Sequence, residues 1–509
     1  MKNLSLRIVI FLMLLIVISC HYNPLKTNEK ELAKEIIIQE REKAEAEKTA
    51  NEKKFADITD RSARGFRLKE DRSVDPAHPP IIIDLAGSLN NIKEINLSEV
   101  ATNVTYIRIE HLPDSTLPSI LKVRYYLLDN YIIAIDLYGI HQYTKGGRFI
   151  RTIVKNEYTG VDVKGGSVHF RFDYTEKGGS MSVQGIGDKL FYEYYNTNAG
   201  QKYVMEYDCS SEKIPIVYKF DPENPNKVSG LGSIVIDLNN GKSEPPKPHT
   251  LNGMFGGPLE TLFSGRSLFM FDHNTYSLPL NNDNMMAVLN STGDTLTTFS
   301  MLEKLKNYTK QMQRGSDFGC EYEHDGKLYL RPEFNDTIFR VIPPNKLLPV
   351  YVLNLGTYKA SMQEGVDPDV KLTGKIIPGE WAETENFIFM TFTKDDYDCK
   401  NTRTKKTVKI YHAIFSKSDH RFSVIKGDPY DYSPEILKNN IDGGLPAWPA
   451  SYMIGKNGEL LIPIKGKELK DRVKTEQFKV SKAPEVKKKE LEKLAGAVSN
   501  NEDILMIVK

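Results

Sequence analysis

The sequence predicts an all-β fold, a six-bladed β-propeller, from three observations. After residue 80 a unit recurs: a turn pair, a strongly apolar strand, a polar turn and a second strand, often a hairpin. Roughly four strand-like runs fall in each unit, at the near-constant spacing that marks propeller blades. Tyrosine (26) and phenylalanine (22) are plentiful, and with β-branched residues they suit pleated, half-buried surfaces.

The unit first opens at Asp129-Asn130, ahead of YIIAID, with IHQYTKGGRFIRTIV behind it. Gly187-Asp188 leads KLFYEYY and YVMEYD, and Gly265-Arg266 leads SLFMF and MMAVLNSTGDTLTTF. Asp325-Gly326 leads KLYLRP, TIFRV and LLPVYVL; Glu385-Asn386 leads FIFMTF, KIYHAIFS and RFSVI; Asn457-Gly458 leads ELLIPI. The spacings are 59, 77, 60, 60 and 72 residues, and the two longest hold loop-like insertions at 221–257 and 426–446. A large β-sandwich would not group its strands in fours. The runs TYIRI (105–109) and ILMIV (504–508) lie at the two ends of this body. A propeller closes by completing one blade from its termini, which leaves no free edge, so at least one of these runs is expected to do so. Residues 483–497 read as a helix outside the ring, with Pro484 near its start.

The N-terminus reads as a targeting segment. Lys2 and Arg7 precede an unbroken apolar run of 11 residues at 8–18. A bilayer needs roughly 20, so the run suits a signal peptide. It ends in Val17-Ile18-Ser19-Cys20, which resembles the bacterial lipobox: cleavage between Ser19 and Cys20, then acylation of Cys20. An ordinary signal peptide with a chance cysteine, or an uncleaved anchor, is the alternative. Several acyl chains on one residue give stable anchoring. His21, Tyr22, Asn23 and Pro24 include neither the aspartate of inner-membrane retention nor an acidic surface-export cluster, which favours the periplasmic face of the outer membrane. Residues 28–60 are rich in Glu, Lys and Ala, with Asn28 and Glu31 placed as a capping box and Glu40/Lys43 and Glu45/Lys48 at helical spacing. The domain reading is therefore a signal peptide at 1–19, a charged helical spacer and linker at 20–80, and the propeller at 81–509.

With 68 basic and 67 acidic side chains the net charge is +1, so no overall field draws the chain to nucleic acid or anionic lipid. Cys20, Cys209, Cys320 and Cys399 form no CxxC pair. A Cys209–Cys399 bridge is conceivable in an oxidising compartment, and free thiols are the plainer reading. The ten histidines form neither HExxH nor HxH, and no GxSxG, GxGxxG or Walker loop occurs. Asp395-Asp396-Tyr397-Asp398 lacks the glycine and terminal glutamate of a calcium loop and reads as solvated. No metal and no cofactor is expected.

Two places are candidate ligand-binding residues. Asp336-Thr337 precedes a strand, where such a pair more often caps a turn by bonding nearby N–H groups. Asp442 with Gly443-Gly444 and Trp448 lies in an expected inter-strand loop; the indole is suited to stacking on a sugar or aromatic ligand, and packing between blades is its commoner role. Asp114-Ser115-Thr116, Asp294-Thr295-Leu296 and Asp336-Thr337-Ile338 resemble a three-residue O-glycosylation acceptor.

Residues 96–109 (NLSEVATNVTYIRI), 334–355 (FNDTIFRVIPPNKLLPVYVLNL), 441–449 (IDGGLPAWP) and 500–509 (NNEDILMIVK) together resemble the six-bladed β-propeller lipoproteins of gut-type Gram-negative bacteria, within the TolB-like and NHL-like propeller group. The chain departs from that pattern at 155–160 (KNEYTG), where a glycine-rich turn is usual and only one glycine stands. The resemblance implies architecture rather than chemistry, because the family carries no settled enzymatic activity. The function expected is an outer-membrane binding or scaffolding module for a peptide, glycan or partner protein. The alternative is a lyase or hydrolase with a site at the central channel.

Overall fold

The computed structural model describes residues 66–110, 123–136, 139–155, 157–164, 167–173, 183–186, 188–196, 201–210, 213–220, 228–230, 269–271, 275–279, 284–289, 295–300, 302, 319–325, 327–367, 370, 372–394, 410–427, 436–449, 454–455 and 458–509, with Ala46, Thr49, Lys53, Asp57, Ile58 and Arg61. The chain divides into two units, Met1–Arg64 and Gly65–Lys509. In the first, the six described residues are helical, and Arg61 lies 3.8 Å from Asp57 one turn away. Ser19, Cys20 and the Asn28 cap lie outside the described residues.

The second unit is mostly β. Its N-terminal segment holds β1 (Ile81–Ile83), the short helix α1 (Leu85–Ser88), β2 (Ile92–Lys93), β3 (Ile95–Asn96) and β4 (Val104–Ile109). A first meander follows: β5 (Arg124–Leu127), β6 (Tyr131–Asp136), β7 (Gly139–Thr144) and β8 (Phe149–Lys155). A hairpin, β9 (Glu157–Lys164) and β10 (Ser167–Asp173), precedes the second: β11 (Val183–Ile186), β12 (Lys189–Asn196), β13 (Gln201–Asp208), β14 (Lys213–Phe220) and β15 (Val228–Gly230). The third is β16 (Phe269–Phe271), β17 (Thr275–Pro279), β18 (Asn284–Leu289) and β19 (Thr295–Ser300). The fourth is β20 (Cys320–His324), β21 (Lys327–Arg331), β22 (Thr337–Ile342) and β23 (Lys346–Leu353). Helix α2 (Met362–Val366) leads to the fifth: β24 (Ile376–Glu383), β25 (Phe387–Lys394), β26 (Ile410–Ser416) and β27 (Arg421–Ile425). The chain ends with β28 (Leu437–Lys438), β29 (Leu460–Lys465), α3 (Gly466–Arg472), α4 (Glu476–Lys479), α5 (Glu485–Ala497) and β30 (Asp503–Val508).

Packing between sheets gives the arrangement its propeller-like character. In β6, Ile132, Ile133, Ala134 and Ile135 are all buried, the continuous apolar run of a strand covered on both faces. The two faces go to different neighbours. Ile133 and Ile135 join Leu190, Tyr192 and Tyr207 of the second meander, while Ile132 and Ala134 join Leu461, Leu505 and Ile507 of the terminal sheet. That terminal sheet packs its other side, Ile504, Met506 and Val508, with Phe389 and Ile414 of the fifth meander. The fifth in turn packs Trp381 and Ile388 with Tyr322, Ile338 and Tyr351 of the fourth.

The terminal sheet draws strands from both ends of the body. β30 pairs antiparallel with β29 on one side and with β4 on the other, six residue pairs each. Ile504, Leu505 and Met506 are fully buried. This sheet has three strands, and the bridge Ile454–Leu460 is all that is described of a fourth, so the sixth sequence unit is short of a whole four-stranded blade.

Residues 66–96 form a belt that the periodicity did not show. Leu68 N donates to Leu296 O of β19, Glu70 accepts from Ser300 N, and Asp71 bridges to Lys346. β1 then pairs in parallel with the outer strand β23, β2 with β27 and β3 with β28. Residues 68–72, read from sequence as linker, are thus tied to the sheets. The belt covers outer edge strands that would otherwise present unpaired N–H and C=O groups. The helix expected at 483–497 is α5, capped at Pro484, with Lys488, Leu491 and Ala495 turned inward at helical spacing.

Candidate functional site

Alternating strand direction places the first and third connections of a meander at one end and the rest at the other. At the first end the connections are short: two residues at 187–188 and 325–326, three at 128–130, 272–274, 343–345 and 384–386, four at 145–148, 209–212 and 417–420, and five at 290–294. At the second, β6–β7 takes two residues, β12–β13 and β17–β18 four each and β21–β22 five, but β25–β26 takes fifteen, β23–β24 twenty-two with α2, and β29–β30 thirty-seven with α3, α4 and α5. Tight turns of neighbouring sheets meet. Asn130 donates to Asp188 from its N–H and Nδ2 at 2.9 and 2.6 Å, and a Cβ on Gly458 would stand 3.2 Å from that of Thr384. The long connections therefore gather at the opposite end, and the candidates from the sequence, Asp336, Thr337, Asp442 and Trp448, all lie in or beside them.

Each candidate is held by its own structure. Thr337 N donates to Asn335 Oδ1 at 2.8 Å, a turn closed by a side chain. Asp336 Oδ2 lies 2.8 Å from Lys359 Nζ, and its carbonyl accepts from Leu353 N. Arg331, 1% exposed, donates to the carbonyls of Pro332, Asn335 and Pro378, tying this loop to β24 of the next sheet.

Asp442 is buried, and its Oδ1 accepts from Gly444 N at 2.8 Å while Asn439 Oδ1 accepts from Ile441 N and Asp442 N. Burial raises the Asp442 carboxyl above its usual range, and the Gly444 N–H opposes that shift. Gly443 has φ +80°, and a Cβ there would meet Ser481 Oγ at 2.7 Å, so the glycine lets the helical insert settle on this loop. Arg472 Nε donates to Gly443 O at 3.2 Å from the insert side. Trp448 stands edge-on to Phe389 at 5.6 Å and to His412 at 4.9 Å, packed against the core. Among the described residues no hydrogen bond or ring contact joins the Asp336 pair to the Asp442 loop, and no three His, Cys, Asp or Glu gather as a metal site. Asp336-Thr337-Ile338 opens β22, whereas Asp114 and Asp294 of the other triplets lie outside the described residues. Cys209 is a free, buried thiol that burial pushes up to about 12, and Cys399 lies outside the described residues.

Among the buried polar groups that sequence reasoning missed, two hold networks inside or between sheets. Glu383 accepts from Tyr322 and Tyr351 hydroxyls at 2.6 and 2.7 Å and pairs with Lys417, between the fourth and fifth meanders. His141 is 2% exposed and bridges Asp136 Oδ1 and Thr152 Oγ1 at 3.0 and 3.1 Å within the first. His412 carries a pH consequence. Burial lowers its pKa to about 4 against an ordinary 6.5, so the unfolded chain binds its proton more readily. The stability this neutral imidazole confers is complete above pH 6.5 and is lost as pH falls from 6.5 to 4. Urea midpoints of His412→Asn, which cannot titrate there, should fall less over that window than the parent's, by about 2–3 kcal/mol in unfolding free energy. Equal falls would mean that His412 charges in the folded state.

No curated protein matches the sequence. Among solved structures, a Bacteroides fragilis protein described as exported is 13% identical, with 84% of this chain and 99% of that one covered at a TM-score of 0.49. A DUF4221 family member from Bacteroides vulgatus is 10% identical, with 70% and 96% covered at 0.29. The extracellular domain of a hybrid two component system from B. thetaiotaomicron is 9% identical, with 63% and 38% covered at 0.27. All three scores are below 0.5. A family model described as a domain of unknown function, DUF4933, matches residues 63–475, and the chain belongs to that family.

Proposed function

We propose that the protein is a lipid-anchored, six-bladed propeller at the periplasmic face of the outer membrane, with the long-loop end as its binding surface for a peptide, glycan or partner protein. The observation that carries the reading is that every connection at one end has two to five residues, whereas all those of fifteen to thirty-seven residues fall at the other. Loops raised on a rigid scaffold are where binding residues concentrate. A count of six takes the three-stranded terminal sheet as an incomplete sixth blade beside the five meanders. The lipobox at Val17-Ile18-Ser19-Cys20 supports the anchor, and the domain limits 1–19, 20–80 and 81–509 go with it.

A photo-cross-linking residue placed at Gln363, exposed on α2, should give adducts in membranes, whereas one at Asp419, on a tight turn, should not. Adducts from Asp419 alone, or from neither position, would overturn the assignment of the binding end. In the same cells Cys20→Ser should leave the signal uncleaved or release the chain from the membrane; a mature, membrane-bound product would overturn the anchor.

A further inference from the structure

The thirty-seven-residue connection between β29 and β30 differs in charge from the chain as a whole. Residues 466–502 carry ten basic against seven acidic side chains, whereas the entire protein nets +1. Four of the acids are engaged within the insert, Asp471 with Lys467, Glu476 with Lys479, Glu490 with Lys487 and Glu485 with Lys488. Lys474, Lys482, Lys489 and Lys493 are exposed.

The same insert exposes two apolar side chains. Its inward side is satisfied, since Leu469, Phe478, Leu491 and Ala495 pack into the core. Val480 and Val486 face solvent instead, each 68% exposed, the largest exposure among the described large hydrophobics. They flank the loop from α4 to α5, and Lys488 Nζ donates to Lys479 O at 3.0 Å, drawing the end of α4 toward the start of α5.

An apolar tip ringed by lysines fits one kind of surface. The core of a protein interface is depleted in lysine, and single-stranded nucleic acid asks for aromatic stacking platforms that this insert lacks. A bilayer containing anionic phospholipid takes both features, because valines enter the headgroup boundary while lysine stems reach up to the phosphates. We propose that the α4–α5 tip docks on an anionic phospholipid surface, inserting Val480 and Val486, with Lys482 and Lys489 among the lysines at the phosphates.

The test uses the chain from Cys20 to Lys509 made without its leader, hence unacylated, so binding does not depend on the anchor proposed above. It is floated with vesicles of phosphatidylcholine alone or of phosphatidylcholine and phosphatidylglycerol at about 7:3. Binding only to the anionic vesicles is expected. Lys482→Gln with Lys489→Gln should weaken it about thirtyfold, as two lysines near an anionic surface imply. Val480→Ser with Val486→Ser should weaken it about tenfold. All four positions except Val486 and Lys489 lie outside helices, and all are exposed, so melting temperatures should stay at the parent's value. No binding to anionic vesicles, equal binding to both compositions, or full binding by either double variant overturns the proposal. The Gln363 cross-link reads separately whether the long-loop end holds another ligand.

Discussion

Removing residues 503–509 should leave a protein that aggregates instead of one that merely melts earlier. β30 is the middle strand of the terminal sheet, so its loss breaks the ladders to β29 and to β4 together. Ile504, Leu505, Met506, Ile507 and Val508 are all buried, with alternate side chains serving the first and fifth meanders. At roughly 1.5–3 kcal/mol each, their burial is comparable to the whole stability of a typical domain. Two edges then lie open, and exposed edges template association between chains. Size-exclusion chromatography and thermal melting decide it. A monomer that melts cooperatively within a few degrees of the parent would mean that the ring is held elsewhere. Met506→Asp, which keeps the backbone ladder and charges the core, should destabilise strongly without opening the edges, separating the two causes.

The meanders were legible because each is built from local hairpins. Asp129-Asn130, Asp325 and Glu385-Asn386 do stand at turns between the first and second strands of their sheets, and the apolar runs behind them are strands buried on both faces. The closing strands were legible as apolar runs, but their mutual pairing was not, since Val104 and Val508 stand at opposite ends of the body. The belt was invisible for a related reason. β2 and β3 have two residues each, too few for any period to register, and their parallel partners lie more than 300 positions away. Periodicity reports neighbours along the chain, and these contacts join segments far apart in sequence.

At the candidate site the sequence located positions better than roles. Asp336 and Asp442 stand in the long-loop end, yet each meets turn N–H groups or a lysine in the way such residues commonly do. The two glycines after Asp442 were read as permitting an unusual backbone path, and Gly443 does adopt a positive φ under the helical insert. The helices α3 and α4 escaped because each is four to seven residues long and starts from weak signals such as Lys465 and Thr475. Glu383 sits in the unremarkable run AETEN, and nothing local marks it. Its partners Tyr322, Tyr351 and Lys417 come from three other strands or turns.

Glu383→Gln should cost about 3–5 kcal/mol, the largest effect expected of any single substitution at a polar side chain here. The Glu383 side chain is 1% exposed; its Oε1 takes the Tyr351 hydroxyl at 2.7 Å and the Lys417 ammonium, and its Oε2 takes the Tyr322 hydroxyl at 2.6 Å. His324 Nε2 stands 3.7 Å away, and Lys417 also donates to Thr384 O at 2.7 Å. Burial first and the Glu383 charge second push both tyrosines above their ordinary range, so both remain protonated donors. The amide keeps the shape but removes the charge facing Lys417 and presents two donors where the network needs only acceptors. The ammonium, half-buried, is left without its counter-charge, which costs more than an absent contact. Lys417→Met alone should also destabilise, by stranding the carboxylate. The double variant Glu383→Gln with Lys417→Met should recover part of the loss, because neither charge is then left alone. Tyr322→Phe should cost only about 1–2 kcal/mol, one hydrogen bond to a charged acceptor. Urea midpoints for the four proteins test the account. If Glu383→Gln stays within about 1 kcal/mol of the parent, or the double variant equals the sum of the singles, the carboxylate does not bind the fourth and fifth meanders together.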